Sequence, residues 1–331
     1  MKNLLKHWAT IGLLALGMTA CGVENRELTP KQIAEGNKPG TVWIEAIHKA
    51  EIAVPDYTID QDKLQQLKQA LINQARRGNI TSKEQAIAAL LQEMLANPLQ
   101  YLQPTDEIIR KSAEVTSTGT GSLITEDGYV VTNAHVVSSE GEDLKRELAK
   151  NALKDVAIAS CRDIMGDLSG DQTEAAIRQV IGTQEFKQLC LEGMARYFAH
   201  YMKLSQPETK VYTAIGAVAP NEDLSKQGYL SEIKAMGKPT PGKDVAILKI
   251  NQQNLPTVIL GDDKSLETGD RIYILGYPAA AITNNSTDNE ASLTAGLVSA
   301  RKTMPDDWEV LQTDAAMSSG NSGGPVFNDQ G

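Results

Sequence analysis

Apolar residues follow two different periods along this chain, and the change from one to the other marks out its parts. In residues 121–131, Gly-Ser-Leu-Ile-Thr-Glu-Asp-Gly-Tyr-Val-Val, two apolar runs flank Glu126-Asp127-Gly128. A turn signal between two such runs predicts a β-hairpin. Residues 243–250, Lys-Asp-Val-Ala-Ile-Leu-Lys-Ile, read as a strand that Asp244 opens. Strand patterns also cover residues 210–218, and residues 41–47, Thr-Val-Trp-Ile-Glu-Ala-Ile, read as an earlier strand.

Two stretches have helical spacing instead. Across residues 60–98, Leu64, Leu67, Leu71 and Ile72 recur at helix intervals, and Ile87, Leu90, Leu91, Met94 and Leu95 form a second apolar stripe. Ser82 with Gln85 fits a capping box, and Asn97-Pro98 ends that helix. Such stripes are ordinary packing faces. Across residues 139–204, Leu144, Leu148, Ala152 and Val156 share one face. Ala176, Ile177, Val180 and Ile181 mark a second helix, and Phe186, Leu189, Cys190, Met194 and Tyr197 a third. This run reads as a helical insertion in a surface loop, where insertions are tolerated and specificity is often carried. It has three open roles: to cover a cleft, to bind a partner, or to pack on the helices of residues 60–98. Residues 22–40 are polar and contain Pro30, Pro39, Gly36 and Gly40, so they read as a tether. Residues 284–289 read as a polar loop tip.

Length and charge narrow the options. With 331 residues the chain has room for one to three domains, and its net charge of −10 argues against nucleic acid as a main partner. At the N-terminus, Lys2 and Lys6 precede an apolar stretch from Trp8 to Ala20, which is short for a membrane span. Met18-Thr19-Ala20-Cys21-Gly22 resembles a bacterial lipobox, with Met18 where leucine is usual. That resemblance implies removal of the signal peptide ahead of Cys21, lipidation of Cys21 as the mature N-terminus, and a membrane-tethered protein facing the periplasm or exterior. An ordinary cleaved signal and an uncleaved anchor remain open. Cys161 and Cys190 are the other two cysteines. In an oxidising compartment they are a candidate disulfide; two buried thiols on neighbouring helices are the alternative. No Cys/His cluster has metal-ligand spacing.

The candidate chemistry sits in three segments. Gly320-Asn321-Ser322-Gly323-Gly324-Pro325 places a serine in a glycine-rich turn. A serine hydroxyl needs a base to take its proton and donors to stabilise the oxyanion. The N–H groups of Gly320 and Ser322 are the candidate donors. Four histidines are present, at 7, 48, 135 and 200, and only His135, in Thr132-Asn133-Ala134-His135-Val136-Val137, closes a predicted strand. His200 reads as a surface or interhelix residue. Asp244 could hold a carboxylate against an imidazole. The order His135, Asp244, Ser322 is one of those known for a Ser-His-Asp triad. Ser318 and Ser319, not followed by Gly-Gly, read as pocket wall.

With these segments the chain resembles the trypsin-like serine proteases of the bacterial HtrA/Deg type. The resemblance also rests on Thr268-Gly269-Asp270, Leu275-Gly276-Tyr277-Pro278, residues 294–300 and residues 312–316, and covers about residues 115–137 and 208–331. It implies a mainly β fold, a trypsin-like pair of six-stranded β-barrels with a helical N-terminal segment and a helical insertion. It divides the chain into residues 1–21, a tether and helical region over 22–114, and a protease domain over 115–331 with its insertion at about 139–208. The chain stops before strands that close the second barrel in that family, and no PDZ segment follows, so a truncated second barrel and a fragment of a longer protein are expected.

The implied activity is serine endopeptidase, acting on envelope or periplasmic proteins without metal or organic cofactor. The alternatives are a protease-fold client-binding or chaperone module with little turnover, and an esterase on the same triad. In the resembled family the residue six before the nucleophile often floors the primary pocket; here it is Ala316. An alanine gives no charge to pair with Lys or Arg, so cleavage is expected after small or medium aliphatic residues. Sequencing the ends of cleaved peptides checks this, and dominant cleavage after Lys or Arg overturns it.

Overall fold

Two long antiparallel strands, β1 (Thr41–Ile59) and β2 (Leu102–Leu123), pair from Thr41↔Ser122 to Ile59↔Leu102 and form the spine of the molecule. The computed structural model describes residues 27–168, 175–217, 224–278, 290–305 and 307–331. Four shorter strands complete a ring with the spine: β3 (Tyr129–Thr132), β5 (Glu208–Ile215), β6 (Tyr229–Met236) and β7 (Ala246–Lys249). The order β2-β3-β7-β6-β5-β1 returns to β2. A two-residue β4 (Lys203–Leu204) pairs with β1 farther out. Closure leaves no unpaired edge within the ring. A second sheet has the order β10-β9-β8-β11, from β8 (Arg271–Gly276), β9 (Ser292–Met304), β10 (Trp308–Thr313) and β11 (Val326–Phe327). Of the two six-stranded barrels expected, one ring is closed; the second sheet has four strands among the described residues.

Alternation along β1 explains how one strand serves three cores. Side chains of a strand point to opposite faces in turn. Val42, Ile44 and Ala46 point into the ring, where they meet Leu123, Val130, Val136 and Leu248. Farther along the same face, Ile52 and Val54 meet the helices. From the opposite face, Trp43 packs with Tyr273, Leu275, Tyr277 and Phe327 in the core of the second sheet.

The mainly β expectation is corrected to a mixed α and β architecture. Helices α2 (Gln61–Arg76), α3 (Lys83–Ala96) and α4 (Pro98–Tyr101) sit between β1 and β2. The helical insertion forms α6 (Glu142–Leu168), α7 (Ala175–Ile181) and α8 (Gln184–Tyr201). These two sets of helices need each other. Leu95 of α3 is buried with Val156 of α6 and with Phe186, Met194, Tyr197 and Phe198 of α8, over Ile52 and Val54. A side chain at Gly193 would collide with the Leu95 carbonyl, so α8 approaches α3 this closely because it has none there. Of the three roles open to the insertion, packing on the N-terminal helices is the one observed. A disulfide joins Cys161 of α6 to Cys190 of α8, with Cα atoms 5.9 Å apart.

Three further readings change. Ser82 caps α3 as expected, accepting from Gln85 N at 3.2 Å, but the Gln85 carboxamide reaches back to Thr81 N at 2.8 Å instead of Ser82 N. Within the expected tether, α1 (Pro30–Asn37) is a capped helix and Ile33 is fully buried against Trp43 and Phe327. The boundary at 114/115 cuts β2 and parts β1 from the ring it closes, because strand pairing crosses it. Cys21 and the 284–289 loop tip lie outside the described residues.

His48 stands on the inward face of β1, between the ring core and the helical core. It is fully buried, with Nδ1 2.8 Å from Thr209 Oγ1 and no partner for Nε2 among the described residues. Burial disfavours the charged ring and pulls its pKa from 6.5 down to about 4. In that interval the unfolded chain binds a proton that the folded chain refuses. Stability is therefore full above about pH 6.5 and declines as pH falls toward 4. In urea unfolding at pH 7 and pH 4, His48→Leu should remove up to about 3 kcal/mol of this dependence. An unchanged pH dependence would refute it.

Candidate active site

Sheet register delivers Asp244 to His135. β3 pairs with β7 through Thr132↔Ala246. Continued two residues beyond the ladder, this antiparallel register sets Asp244 beside the turn that follows β3. That turn is α5 (Ala134–Val137), with Asn133 at its N-cap in extended conformation and His135 in the single turn. Val136 and Val137 are buried in the ring core and pin the turn, while the His135 side chain remains 47% exposed.

Asp244 is 7% exposed, and its acceptors are occupied. Oδ1 accepts from the His135 backbone N–H at 2.8 Å, and Oδ2 lies 2.5 Å from His135 Nδ1. Thr240 Oγ1 donates to Oδ2 at 3.4 Å, and the Asp244 carbonyl accepts from Asn133 Nδ2 at 2.6 Å. A carboxylate cannot donate, so Nδ1 carries the hydrogen that faces it, and in the neutral ring Nε2 then keeps its lone pair. The histidine is thus gripped at backbone and ring, with the basic nitrogen directed away from its carboxylate.

Ser322 lies in a turn between the ring and the second sheet. Asn321 N donates to Ser318 O at 3.1 Å and Gly324 N to Asn321 O at 3.0 Å. Gly320 and Gly323 adopt φ of +97° and +83°, a region where a Cβ is strained. Backbone bonds tie the turn to both sheets: Thr120 N donates to Ser322 O at 2.8 Å, and Leu275 N to Pro325 O at 3.2 Å. Gly119 is the contact shared with the histidine turn. A Cβ there would lie 2.7 Å from the Val136 methyls and 3.0 Å from Ser322 O. No hydrogen bond joins the Ser322 hydroxyl to His135 among the described residues. The Gly320 and Ser322 N–H groups likewise donate to nothing there, which leaves two backbone donors for a ligand.

The structure therefore gathers His135, Asp244 and the Ser322 turn around Gly119. It leaves Ala316, Ser318 and Ser319 exposed, so the pocket floor expected at Ala316 is not enclosed. His200 is exposed and packs edge-on against Tyr201. No cluster of three His, Cys, Asp or Glu is placed to hold a metal among the described residues. Sequence reasoning assigned no role to Thr120, Asn133 or Thr240. Asn133 borders the histidine motif and so had a local signal; Thr240 had none, and Thr120 only its place between two glycines.

Residues 199–331, which include Asp244 and Ser322, match the trypsin-like peptidase domain. A probable periplasmic serine endoprotease DegP-like of Pseudomonas putida strain F1 is 44% identical over 94 residues, covering 28% of this chain and 18% of the relative. One of the same description from Halomonas elongata is 27% identical over 220 residues, covering 66% of this chain and 28% of the relative. This chain is similar over these stretches to the trypsin-like peptidase domain and to DegP-like serine endoproteases. It spans less than a third of the length of these HtrA/Deg relatives. A solved HtrA-type protease, AlgW with a decapeptide, aligns over 92% of this chain and 56% of its own at 14% identity, with a TM-score of 0.39.

The conformation of the Ser322 turn makes it intolerant of side chains. A Cβ at Gly323 would lie 2.8 Å from Asn133 N, in contact with Thr132 Oγ1, at a positive φ. Gly323→Ala should destabilise the chain by about 2–4 kcal/mol in urea unfolding. A variant as stable as the parent would overturn this packing.

Proposed function

We propose that this chain is the catalytic part of a serine endopeptidase that cleaves proteins of the bacterial envelope. The observation that carries the reading is the double grip of Asp244 on His135, at Nδ1 and at the backbone N–H, beside the Ser322 turn. In this mechanism His135 Nε2 takes the proton of Ser322 as its hydroxyl attacks the scissile carbonyl. Asp244 holds the ring tautomer and stabilises the imidazolium. The N–H groups of Gly320 and Ser322 donate hydrogen bonds to the negative charge that develops on the carbonyl oxygen. The imidazolium then protonates the leaving amine, and water releases the acyl group by the reverse sequence. Catalytic hydrogen bonds often tighten only with substrate bound, which accommodates the missing Ser322–His135 bond.

The periplasmic address of the DegP-like relatives supports an envelope location. Lipidation at Cys21 would tether the chain to the membrane surface, with protein or peptide substrates reached from there. No helix of the described residues is long and apolar enough to cross a membrane.

A fluorophosphonate probe tests the nucleophile. Labelling is expected in the parent and absent in Ser322→Ala. Asp244→Asn should slow peptide turnover about 10⁴-fold through the wrong histidine tautomer. Persistent labelling of Ser322→Ala would place the nucleophile elsewhere. Client binding without labelling of the parent would favour the chaperone-like alternative.

A further inference from the structure

One buried side chain outside the triad holds the nucleophile turn from behind. Thr120, fully buried in β2, donates its hydroxyl to the Gly320 carbonyl at 2.7 Å and accepts the Tyr277 N–H at 2.9 Å. A threonine hydroxyl has a single proton, and here it goes to Gly320. The Thr120 N–H donates to Ser322 O at 2.8 Å, and its carbonyl accepts from Thr132 Oγ1 at 2.7 Å. One residue therefore touches the nucleophile turn twice, the second sheet once, and the strand end that precedes His135 once.

The two contacts on the turn bracket a single peptide. Each peptide unit is planar, so anchoring the Gly320 carbonyl sets the 320–321 plane, and anchoring the Ser322 carbonyl sets the 322–323 plane. Between them lies the 321–322 plane, which carries the Ser322 N–H. The glycines at 320 and 323 have positive φ and intrinsic freedom to rotate. Restraint at this point must come from tertiary contacts, and Thr120 supplies it on both sides of the serine N–H.

We infer that Thr120 is a positioning residue whose hydroxyl sets the Gly320–Ser322 backbone so that its N–H groups meet the developing oxyanion. The inference rests on the endopeptidase reading above. Thr120→Val keeps the size and the backbone bond to Ser322 but removes the hydroxyl from both Gly320 and Tyr277. Thr120→Ser restores it.

Both variants should be measured in the full chain, with Ser322→Ala as blank. Thr120→Val should lower kcat about 10- to 100-fold, somewhat less than deletion of a donor, with KM within about twofold. The pH profile should keep its shape, because His135 and Asp244 are untouched. Thr120→Ser should return kcat to within about threefold of the parent. Hydrogen–deuterium exchange over residues 318–324 should quicken in the valine variant only, with ring strands unchanged. An unchanged kcat in Thr120→Val overturns the inference, as does an equal loss in Thr120→Ser that tracks a fall in thermal midpoint. If the parent shows no Ser322-dependent turnover, the endopeptidase reading fails by itself, and exchange decides the positioning role. Faster exchange in the valine variant alone supports that role, and identical exchange in both variants overturns it.

Discussion

Both hydrogen-bonding edges of β1 are taken over residues 42–49, one by β2 and the other by β5. This double pairing closes the ring, and closure sets the rest. It fixes which residues of β1 face inward, since a slip of one residue would exchange Val42, Ile44 and Ala46 for Trp43, Glu45 and Ile47. It carries Trp43 to the second sheet, where its ring packs at 6.1 Å from Tyr277. Tyr277 is itself buried, which pushes its phenol up to about 12, and its hydroxyl lies 3.4 Å from the Thr41 carbonyl of β1. The junction between ring and second sheet is thus built on the first residues of one strand.

The candidate site lies at that junction and draws on both sides of it. His135 and Asp244 come from neighbouring strands of the ring, so their separation depends on local register. Ser322 comes from the other half and is brought in by contacts to Thr120, Leu275 and Gly276. A two-part site of this kind is only as well placed as the interface between its parts. Gly119 and Gly323 serve that interface through what they lack, since a Cβ at either of them would press on the opposite side. The His135–Asp244 pair is held by charge-assisted hydrogen bonds, whereas Ser322 is held by backbone geometry.

The helical layer has a different logic. Two insertions, one between β1 and β2 and one after His135, bury each other's apolar stripes over the outer part of the β1–β2 spine. Together they enclose Tyr197 and Phe198 completely. His48 marks where this layer meets the ring, a neutral histidine held between two apolar cores.

Much of this was written in short stretches of chain. Gly320–Pro325, the His135 motif, the 121–131 hairpin, the strand that follows Asp244 and the apolar stripes of α3, α6 and α8 were all legible, because caps, turns and periodicities are properties of neighbouring residues. The candidate site residues could be named for the same reason, each lying in a compact motif. Ile33 as a core residue, the full length of β1, the mutual packing of the two helical sets and the exposure of Ala316 were not. Each depends on which distant segment arrives alongside. Thr120 shows the limit most clearly: its partner Gly320 is 200 residues away, and near residue 120 only the flanking glycines set it apart from any other strand threonine. The residue types and their local geometry came from the sequence; their alignment into one site came from ring closure and the seating of the second sheet, which alone bring groups so far apart within hydrogen-bonding range.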